Sequence, residues 1–304
     1  MNKIKLILIL TIIFLLTGCQ NPVDSNKIKV VTTIFPYYDF TRAVANDKVD
    51  LTMLIKPGAD IHSYDPTPLD IAKITNADIF IYTGGDSDTW VEKIIGEIDQ
   101  SKTKVIRIMD YLDVVIEDEI TGAVKEDAPE YDEHVWTSLI NAKKITEVIS
   151  GELIKLDALN ETYYLTNSAA YTAKIDLLDI EIKDIVASST NKELVFGDRF
   201  AFRYFADQYG LTYSAAFPGC STETEPSVAT LTYLIKKINT DQIPVILYLE
   251  ISSQKVADTL AEATGAIPME INSIQTISKI DFNNHETYIS LMKRNVEVLK
   301  EALK

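Results

Sequence analysis

The stretch KIKVVTTIFPYYDFTRAVANDKVDLTMLIKPG, residues 27–58, decides the fold class. It opens with a β-branched run that ends at Pro36, continues with a segment of helical character, and closes with an apolar run stopped by Lys56-Pro57-Gly58. Apolar β-branched runs bounded by proline and glycine are typical of strands. A strand, a helix and a strand in succession predict a parallel α/β domain.

The alternation of strands and helices continues through the rest of the chain. The further strands are predicted in DIFIYTGG, KVIRIM, KELVFGD, LTYSAAF, PVILYLE and IPMEI, with helices between them. The helix in PSVATLTYLIKKIN is expected to open at Pro226, and the last helix fills ETYISLMKRNVEVLKEALK. The sequence therefore predicts two Rossmann-like α/β lobes.

Residues 157–187 carry the longest helical signal. Positions alternately four and three apart form one continuous stripe: Tyr164, Ser168, Tyr171, Ile175, Leu178, Ile182 and Ile185. A helix of roughly 30 residues spans about 45 Å, more than one small domain needs. We expect a rigid linking helix over 157–187 between an N-terminal lobe, 27–156, and a C-terminal lobe, 188–304.

The first 18 residues have the pattern of a secretion signal, with lysines ahead of an apolar run that is short for a membrane span of about 20 residues. An uncleaved anchor is the alternative. Leu16-Thr17-Gly18-Cys19 resembles the lipobox of bacterial lipoproteins, in which the cysteine is lipidated. We therefore expect lipidation at Cys19, a polar tether over 19–26, and attachment to the extracytoplasmic face of the cell membrane.

Charge and cysteine content restrict the function. The chain has 45 acidic and 29 basic residues and a formal net charge of −16, which argues against a nucleic-acid partner. If Cys19 is lipidated, the second cysteine, Cys220, has no partner for an internal disulfide. It is then either a small buried side chain or a soft metal ligand.

The three histidines occupy different contexts. His62 lies in the proline-bounded loop ADIHSYDPTP, residues 59–68, directly after a predicted strand, where ligand sites of α/β sheets are found. His134 follows an acidic segment, 110–133, and precedes a helix that Thr137 or Ser138 can cap. His285 lies in a polar turn and is interpreted as solvated. The acidic segment itself is either a solvated loop or an attractor of cations.

Seven motifs together resemble the zinc- and manganese-binding solute-binding lipoproteins of bacterial ABC importers. These motifs are VVTTIFPYYDF, KPGADIHSYDPTPLDI, DEHVWTS, FRYFADQYGL, TETEPS, DTLAEATGA and TYISLMKRNVEVLKEAL. The resemblance implies one metal between two lobes, with His62 and His134 as ligands, and delivery to a membrane permease driven by an ATPase. It implies a binding protein, expected to be a monomer, and no enzyme.

The other two ligand positions of the resembling family are changed. They fall on Arg199, whose permanent cation cannot coordinate metal, and on Asn272. Further oxygen donors are candidates by their placement: Asp198, Glu223, Glu225 and Glu250. Asp198 and Glu225 have an alternative role, which is to neutralise Arg199.

Two imidazoles favour zinc, with manganese next, although the acidic segment lacks the histidines that zinc carriers of the family often have. An alternative is the same fold with a pocket that binds an anion or a metal chelate through Arg199. A secreted hydrolase is disfavoured because no G-x-S-x-G pattern is present. Adhesion to host surfaces is associated with the family, and no motif in this chain tests it.

Overall fold

A computed structural model describes residues 27–117, 131–219 and 225–304. The leader, Cys19 and the tether lie outside these ranges, as do Cys220, Glu223 and most of the acidic segment. The strands are β1 Ile28–Thr32, β2 Val49–Met53, β3 Ile79–Tyr82, β4 Lys104–Arg107, β5 Glu193–Arg199, β6 Thr212–Phe217, β7 Val245–Leu249 and β8 Ile267–Ile271. The helices are α1 Phe35–Ala45, α2 Pro68–Thr75, α3 Thr89–Ile94, α4 Leu139–Leu156, α5 Glu161–Ser188, α6 Arg203–Tyr209, α7 Val228–Asp241, α8 Lys255–Thr264, α9 Lys279–Asn283 and α10 Tyr288–Ala302.

Two four-stranded parallel sheets form the two lobes. The first has the strand order β2-β1-β3-β4 and the second β6-β5-β7-β8, so the second lobe repeats the winding of the first. The predicted fold class, two α/β lobes joined by a long helix, is confirmed. Because all strands of a lobe are parallel, their carboxyl ends share one edge, where ligands of such sheets bind.

The joining helix α5 has 28 residues and begins at Glu161, slightly later than predicted. The helix before it ends at Leu156, and a short turn at Ala158–Asn160 separates the two. The predicted stripe is buried from Tyr164 to Ile182, and at its end Val186 is buried while Ile185 is only half-buried. The stripe therefore packs into the core, as its spacing indicates.

Helix starts follow their capping residues. Ser138 caps α4, because its hydroxyl accepts a hydrogen bond from the backbone N–H of Asn141. The start of α7 differs from the prediction: Ser227 caps it and the first helical residue is Val228, so Pro226 precedes the helix. Among the described residues, none of the helices combines the length and the apolar character that crossing a bilayer requires.

Hydrogen bonds tie the two lobes together below the cleft. The buried carboxylate of Asp39 on α1 accepts from the hydroxyl of Tyr171 at 2.6 Å and from the backbone N–H of Tyr288 at 2.8 Å. The indole of Trp136 donates to the carbonyl of Ser273 at 2.8 Å, across the lobe boundary. Of the three apolar clusters formed by the described residues, the largest runs through both lobes around these bonds. The interface is therefore a packed one, which favours small movements over a wide hinge.

Candidate metal site between the lobes

A cavity of about 260 Å³ lies between the carboxyl-terminal edges of the two sheets. Its N-terminal wall is the loop after β2, which includes His62. Its C-terminal wall consists of residues that end or follow β5, β7 and β8, among them Arg199, Glu250 and Gln275. The cavity is therefore lined by both lobes, at the place where α/β sheets bind ligands.

The ring of His62 is oriented by a serine from the loop after β3. The Nδ1 atom of His62 lies 3.1 Å from the hydroxyl oxygen of Ser87. That hydroxyl also bonds to Oε1 of Glu133, and Oε2 of Glu133 accepts from the backbone N–H of Ser87 at 3.0 Å. Since the carboxylate takes the single hydroxyl proton, the serine oxygen accepts from Nδ1–H of His62. This tautomer leaves the Nε2 lone pair of His62 free to bind a metal.

Hydrogen bonds to the carboxylate of Asp88 fix the shape of the loop that carries Ser87. The carboxylate of Asp88 accepts from the backbone N–H groups of Thr83 and Gly84 at 2.7 and 3.2 Å. Burial, and then the charge of Glu133, raise the pKa of Asp88 to about 7. A Cβ atom at Gly85 would lie 2.4 Å from the Cβ of Glu133, so only glycine lets this carboxylate approach the loop.

His134 lies just before the 3₁₀ turn Val135–Thr137 and is almost fully buried, with 1% of its surface exposed. Its Nδ1 atom lies 3.1 Å from Oδ1 of Asp132, and the same oxygen accepts from the backbone N–H of His134 at 2.8 Å. Nδ1 therefore carries the proton and Nε2 carries the lone pair. An imidazole backed by a carboxylate is the arrangement found at metal-binding histidines.

The pKa values of the two histidines depend on their burial and on the charged groups around them. Burial lowers the pKa of His62; Glu133 opposes this effect, and the charges of His134 and Arg199 lower the pKa further. Burial alone would also lower the pKa of His134, but its charge interaction and hydrogen bond with Asp132 raise it overall. His62 thus presents the neutral form that a metal requires, while His134 is held beside a carboxylate that increases its basicity.

A loop of the second lobe lies against His134. A Cβ atom on Gly219 would come within 3.2 Å of Cε1 of the His134 ring, and the backbone N–H of Gly219 donates to the carboxylate of Glu117. The ring of His134 therefore faces the lobe boundary and not the interior of its own lobe. Within the described ranges, no three His, Cys, Asp or Glu side chains are grouped so as to hold a metal ion by themselves.

The second lobe contributes Arg199, Asp198 and Glu250 to the cavity wall, as their placement after strands predicts. The carboxylates are already engaged. Asp198 accepts from the backbone N–H groups of Arg199 at 2.8 Å and Leu249 at 3.0 Å. Glu250 accepts from the backbone N–H and the hydroxyl of Ser273 at 2.7 and 2.6 Å, and burial raises its pKa to about 7.

Two of the predicted oxygen donors lie elsewhere. The side-chain oxygen of Asn272 accepts from the backbone N–H of Ile274 at 2.9 Å, and Asn272 is not part of the cavity wall. Glu225 is 66% exposed and pairs with Lys255 on the surface. Neither candidate carboxylate pairs with the side chain of Arg199, because Asp198 accepts from backbone N–H groups and Glu225 binds Lys255. His285 is exposed, in a turn with a positive φ of 58°.

Four residues that shape the site were not predicted from the sequence: Ser87, Asp132, Glu133 and Gln275. Asp132 and Glu133 stand next to His134 in the sequence, and that adjacency is the signal that could have identified them. Ser87 and Gln275 lie in turns after β3 and β8. The side-chain nitrogen of Gln275 is buried and, among the residues that the structure describes, has no hydrogen-bond partner.

Comparison with known proteins decides the family. Residues 30–302 match the model of the family "Zinc-uptake complex component A periplasmic". The chain belongs to this family. Its members are solute-binding components of metal transport and not enzymes, as the sequence analysis expected.

Three relatives give the range of this family. The high-affinity zinc uptake system protein ZnuA of Bacillus subtilis is 34% identical over 91% of this chain and 88% of its own length. The zinc-binding lipoprotein AdcA of Streptococcus pneumoniae is 31% identical over 99% of this chain, which spans only 61% of AdcA. The Zn(II)-bound ZnuA-like domain of AdcA has a TM-score of 0.77 at 31% identity, covering 91% of this chain and 99% of that domain.

The third relative, after ZnuA and AdcA, is the laminin-binding protein Lmb of Streptococcus agalactiae, described as an adhesin with metal-transporting activity. It has a TM-score of 0.79 at 27% identity, covering 91% of this chain and all of Lmb. The fold of this chain is thus similar both to zinc-bound AdcA and to a protein described as an adhesin.

Proposed function

We propose that the protein captures a divalent transition metal ion between His62 and His134 and delivers it to an ABC permease with its ATPase. The observation that carries the proposal is the fixed tautomer of both rings. In each ring Nδ1 is held by the protein, through Ser87 or Asp132, and within the described ranges Nε2 has no hydrogen-bond partner. Two such nitrogens at a cleft between lobes support reversible capture of an ion, because imidazole binds such metals in its neutral form.

Zinc is the first candidate for the metal and manganese the second. Imidazole nitrogen suits zinc, whereas manganese prefers a larger share of oxygen ligands. The carboxylates of the second lobe, Asp198 and Glu250, are held by N–H and hydroxyl donors of their own lobe, which reduces the oxygen share. The zinc named for both ZnuA and AdcA points the same way.

The mode of attachment is proposed from the sequence. Lipidation at Cys19 would hold a monomer on the extracytoplasmic face of the cell membrane through the tether, residues 19–26. The domain limits given above are part of the same proposal, with the linking helix at Glu161–Ser188. Because α1, α5 and α10 are tied through Asp39, the movement that accompanies binding is expected to be small.

Isothermal titration of the metal-free protein with Zn²⁺ and with Mn²⁺ tests the proposal. We expect one ion per chain and a tighter affinity for zinc. The variants His62→Ala and His134→Ala should each lose affinity, while the matched variant His285→Ala, altered at an exposed histidine, should bind like the wild type. Unchanged affinity in both of the first two variants would refute the assignment.

A further inference from the structure

The two walls of the cavity differ in chemistry. The first lobe offers the imidazole of His62 and the carboxylate of Asp60, whereas the second adds hydrogen-bond donors: the guanidinium of Arg199 and the amide of Gln275. Several hydroxyls share that wall: Ser252, Ser253 and Thr276. The guanidinium of Arg199 has no lone pair and cannot coordinate a metal ion, but it binds the oxygens of an anion, as the amide N–H and hydroxyl groups also do.

We propose that the cargo is bound as a metal–oxyanion pair, in which a small planar oxyanion of the carbonate or carboxylate class bridges the metal to Arg199 and Gln275. This inference rests on the proposed function and adds a second component to the cargo. The anion would place one oxygen on the metal and direct its remaining oxygen lone pairs toward the second lobe. It would therefore supply, from solution, the ligand that Arg199 cannot.

The partners of Arg199 and Gln275 in the structure support their role in binding an anion. Neither carboxylate expected to neutralise Arg199 does so, since Asp198 accepts from backbone N–H groups and Glu225 pairs with Lys255. Gln275 brings a buried side-chain nitrogen, which the described residues leave without a partner, to the same wall. A guanidinium fork matches the planar oxygens of carbonate or carboxylate in two parallel hydrogen bonds.

The charges around the cavity set the order of binding. Asp60, Asp198 and Glu250 also line it, so an anion that arrives alone meets three carboxylates and one guanidinium. A divalent cation held by His62 and His134 changes this balance. The metal should therefore bind before the anion, which separates the proposal from a pocket that binds an anion alone.

The size of the cavity fits the pair. Its 260 Å³ is far more than a bare metal ion occupies. At about 30 Å³ for each water in the liquid, it has room for an ion, a three- or four-atom anion and several waters. A large chelate such as a siderophore is too big for this volume.

Calorimetric titration of Zn²⁺ into the metal-free protein tests the pair, in buffer freed of carbon dioxide and then with added bicarbonate, acetate or chloride. Charge-assisted bidentate bonds should raise the zinc affinity about ten- to 100-fold with the bridging anion. A gain with bicarbonate alone identifies inorganic carbonate, and a gain with acetate as well identifies the carboxylate group. Chloride should give no gain, and without zinc none of the anions should give heat.

Substitutions show which residues are responsible for the effect of the anion on zinc affinity. Arg199→Gln should abolish the gain from the anion, while Arg294→Gln, a matched change at a surface arginine on α10, should keep it. Arg199→His restores a protein ligand and should give tight zinc binding that is independent of the anion. Gln275→Ala should reduce the gain without abolishing it.

The outcomes separate the pair from the proposed function. Equal zinc affinity in every buffer, or an anion gain that survives in Arg199→Gln, would overturn the metal–oxyanion pair while leaving metal capture intact. Absence of zinc binding in every buffer would overturn both. Zinc affinity that rises with one oxyanion and falls back in Arg199→Gln would establish the pair.

Discussion

The two walls of the cleft are built on the same strand order, yet they use their carboxylates in opposite ways. In the first lobe, Asp132 and Glu133 stand behind the imidazoles of His134 and His62 and orient them, directly or through Ser87. In the second lobe, Asp198 and Glu250 accept from backbone N–H groups and a serine hydroxyl at the strand ends of that lobe. A carboxylate at the end of a strand is therefore not by itself a metal ligand.

The difference has a physical origin in the turns that carry these groups. A buried carboxylate costs free energy unless it is hydrogen-bonded, so it takes the nearest donors. In the second lobe these are backbone N–H groups and the hydroxyl of Ser273, whereas in the first lobe the nearest donors also include an imidazole N–H. The first lobe thereby gains two oriented rings, and the second gains rigid strand ends that display Arg199 and Gln275.

The largest effect expected is that of His134→Ala. It removes the buried ring that Asp132 orients, so it should lower the zinc affinity more than the roughly 100-fold that the loss of a supporting residue can cost. Calorimetric titration measures the loss, with His285→Ala as the control. Retention of wild-type affinity would show that His134 is not a ligand.

Asp132→Asn should have the next largest effect. An amide can still accept from the ring, but it adds no negative charge to the imidazole, so the zinc affinity should fall about 10- to 100-fold. The variant keeps nearly the same volume, and its melting temperature provides the check that it is folded. An affinity equal to that of the wild type would mean that Asp132 serves only the fold of the loop.

Ser87→Ala should lower the zinc affinity less, by about tenfold, because the serine passes the influence of Glu133 to His62 indirectly. The loop keeps its shape in this variant through the two backbone bonds to Asp88. The same titration measures it. A larger loss of zinc affinity than in Asp132→Asn would show that the support of His62 contributes more to binding than the support of His134.

The smallest expected effect is on the melting temperature, and it concerns Glu250 of the second lobe. Burial raises the pKa of Glu250 to about 7, above its value in the unfolded chain. The stabilising contribution of its protonated form is complete below about pH 4.5 and is lost as the pH rises through 7. Glu250→Gln, which never ionises, should therefore gain about 2–4 °C in melting temperature relative to the wild type between pH 5 and pH 8.

Melting curves of the metal-free protein at the two pH values measure this shift. The zinc affinity should change little in Glu250→Gln, since the carboxylate is bound to Ser273. A large loss of zinc affinity would show instead that Glu250 is a ligand.

The fold and half of the site could be predicted from the sequence. The strand and helix pattern set the two lobes, and the motifs around His62 and His134 placed both histidines near the lobe boundary. The residues that orient the rings could not be predicted, because Ser87 meets His62 only after β3 has paired with β1.

The turn after β8 shows the limit most clearly. Asn272 is one of the predicted pocket residues, but its side chain accepts from the backbone N–H of Ile274 and closes a local turn. Ile274 then takes a positive φ of 63°, which redirects the chain so that Gln275 lines the cavity. A left-handed isoleucine is unusual, and the sequence carries no pattern that predicts it.

A crystal structure of the zinc-loaded protein, with anomalous data at the zinc edge, tests the central claim most directly. We predict one zinc ion, bound by Nε2 of His62 and Nε2 of His134 at about 2.0–2.1 Å. Zinc bound through other residues, with either ring turned away from it, would contradict the account.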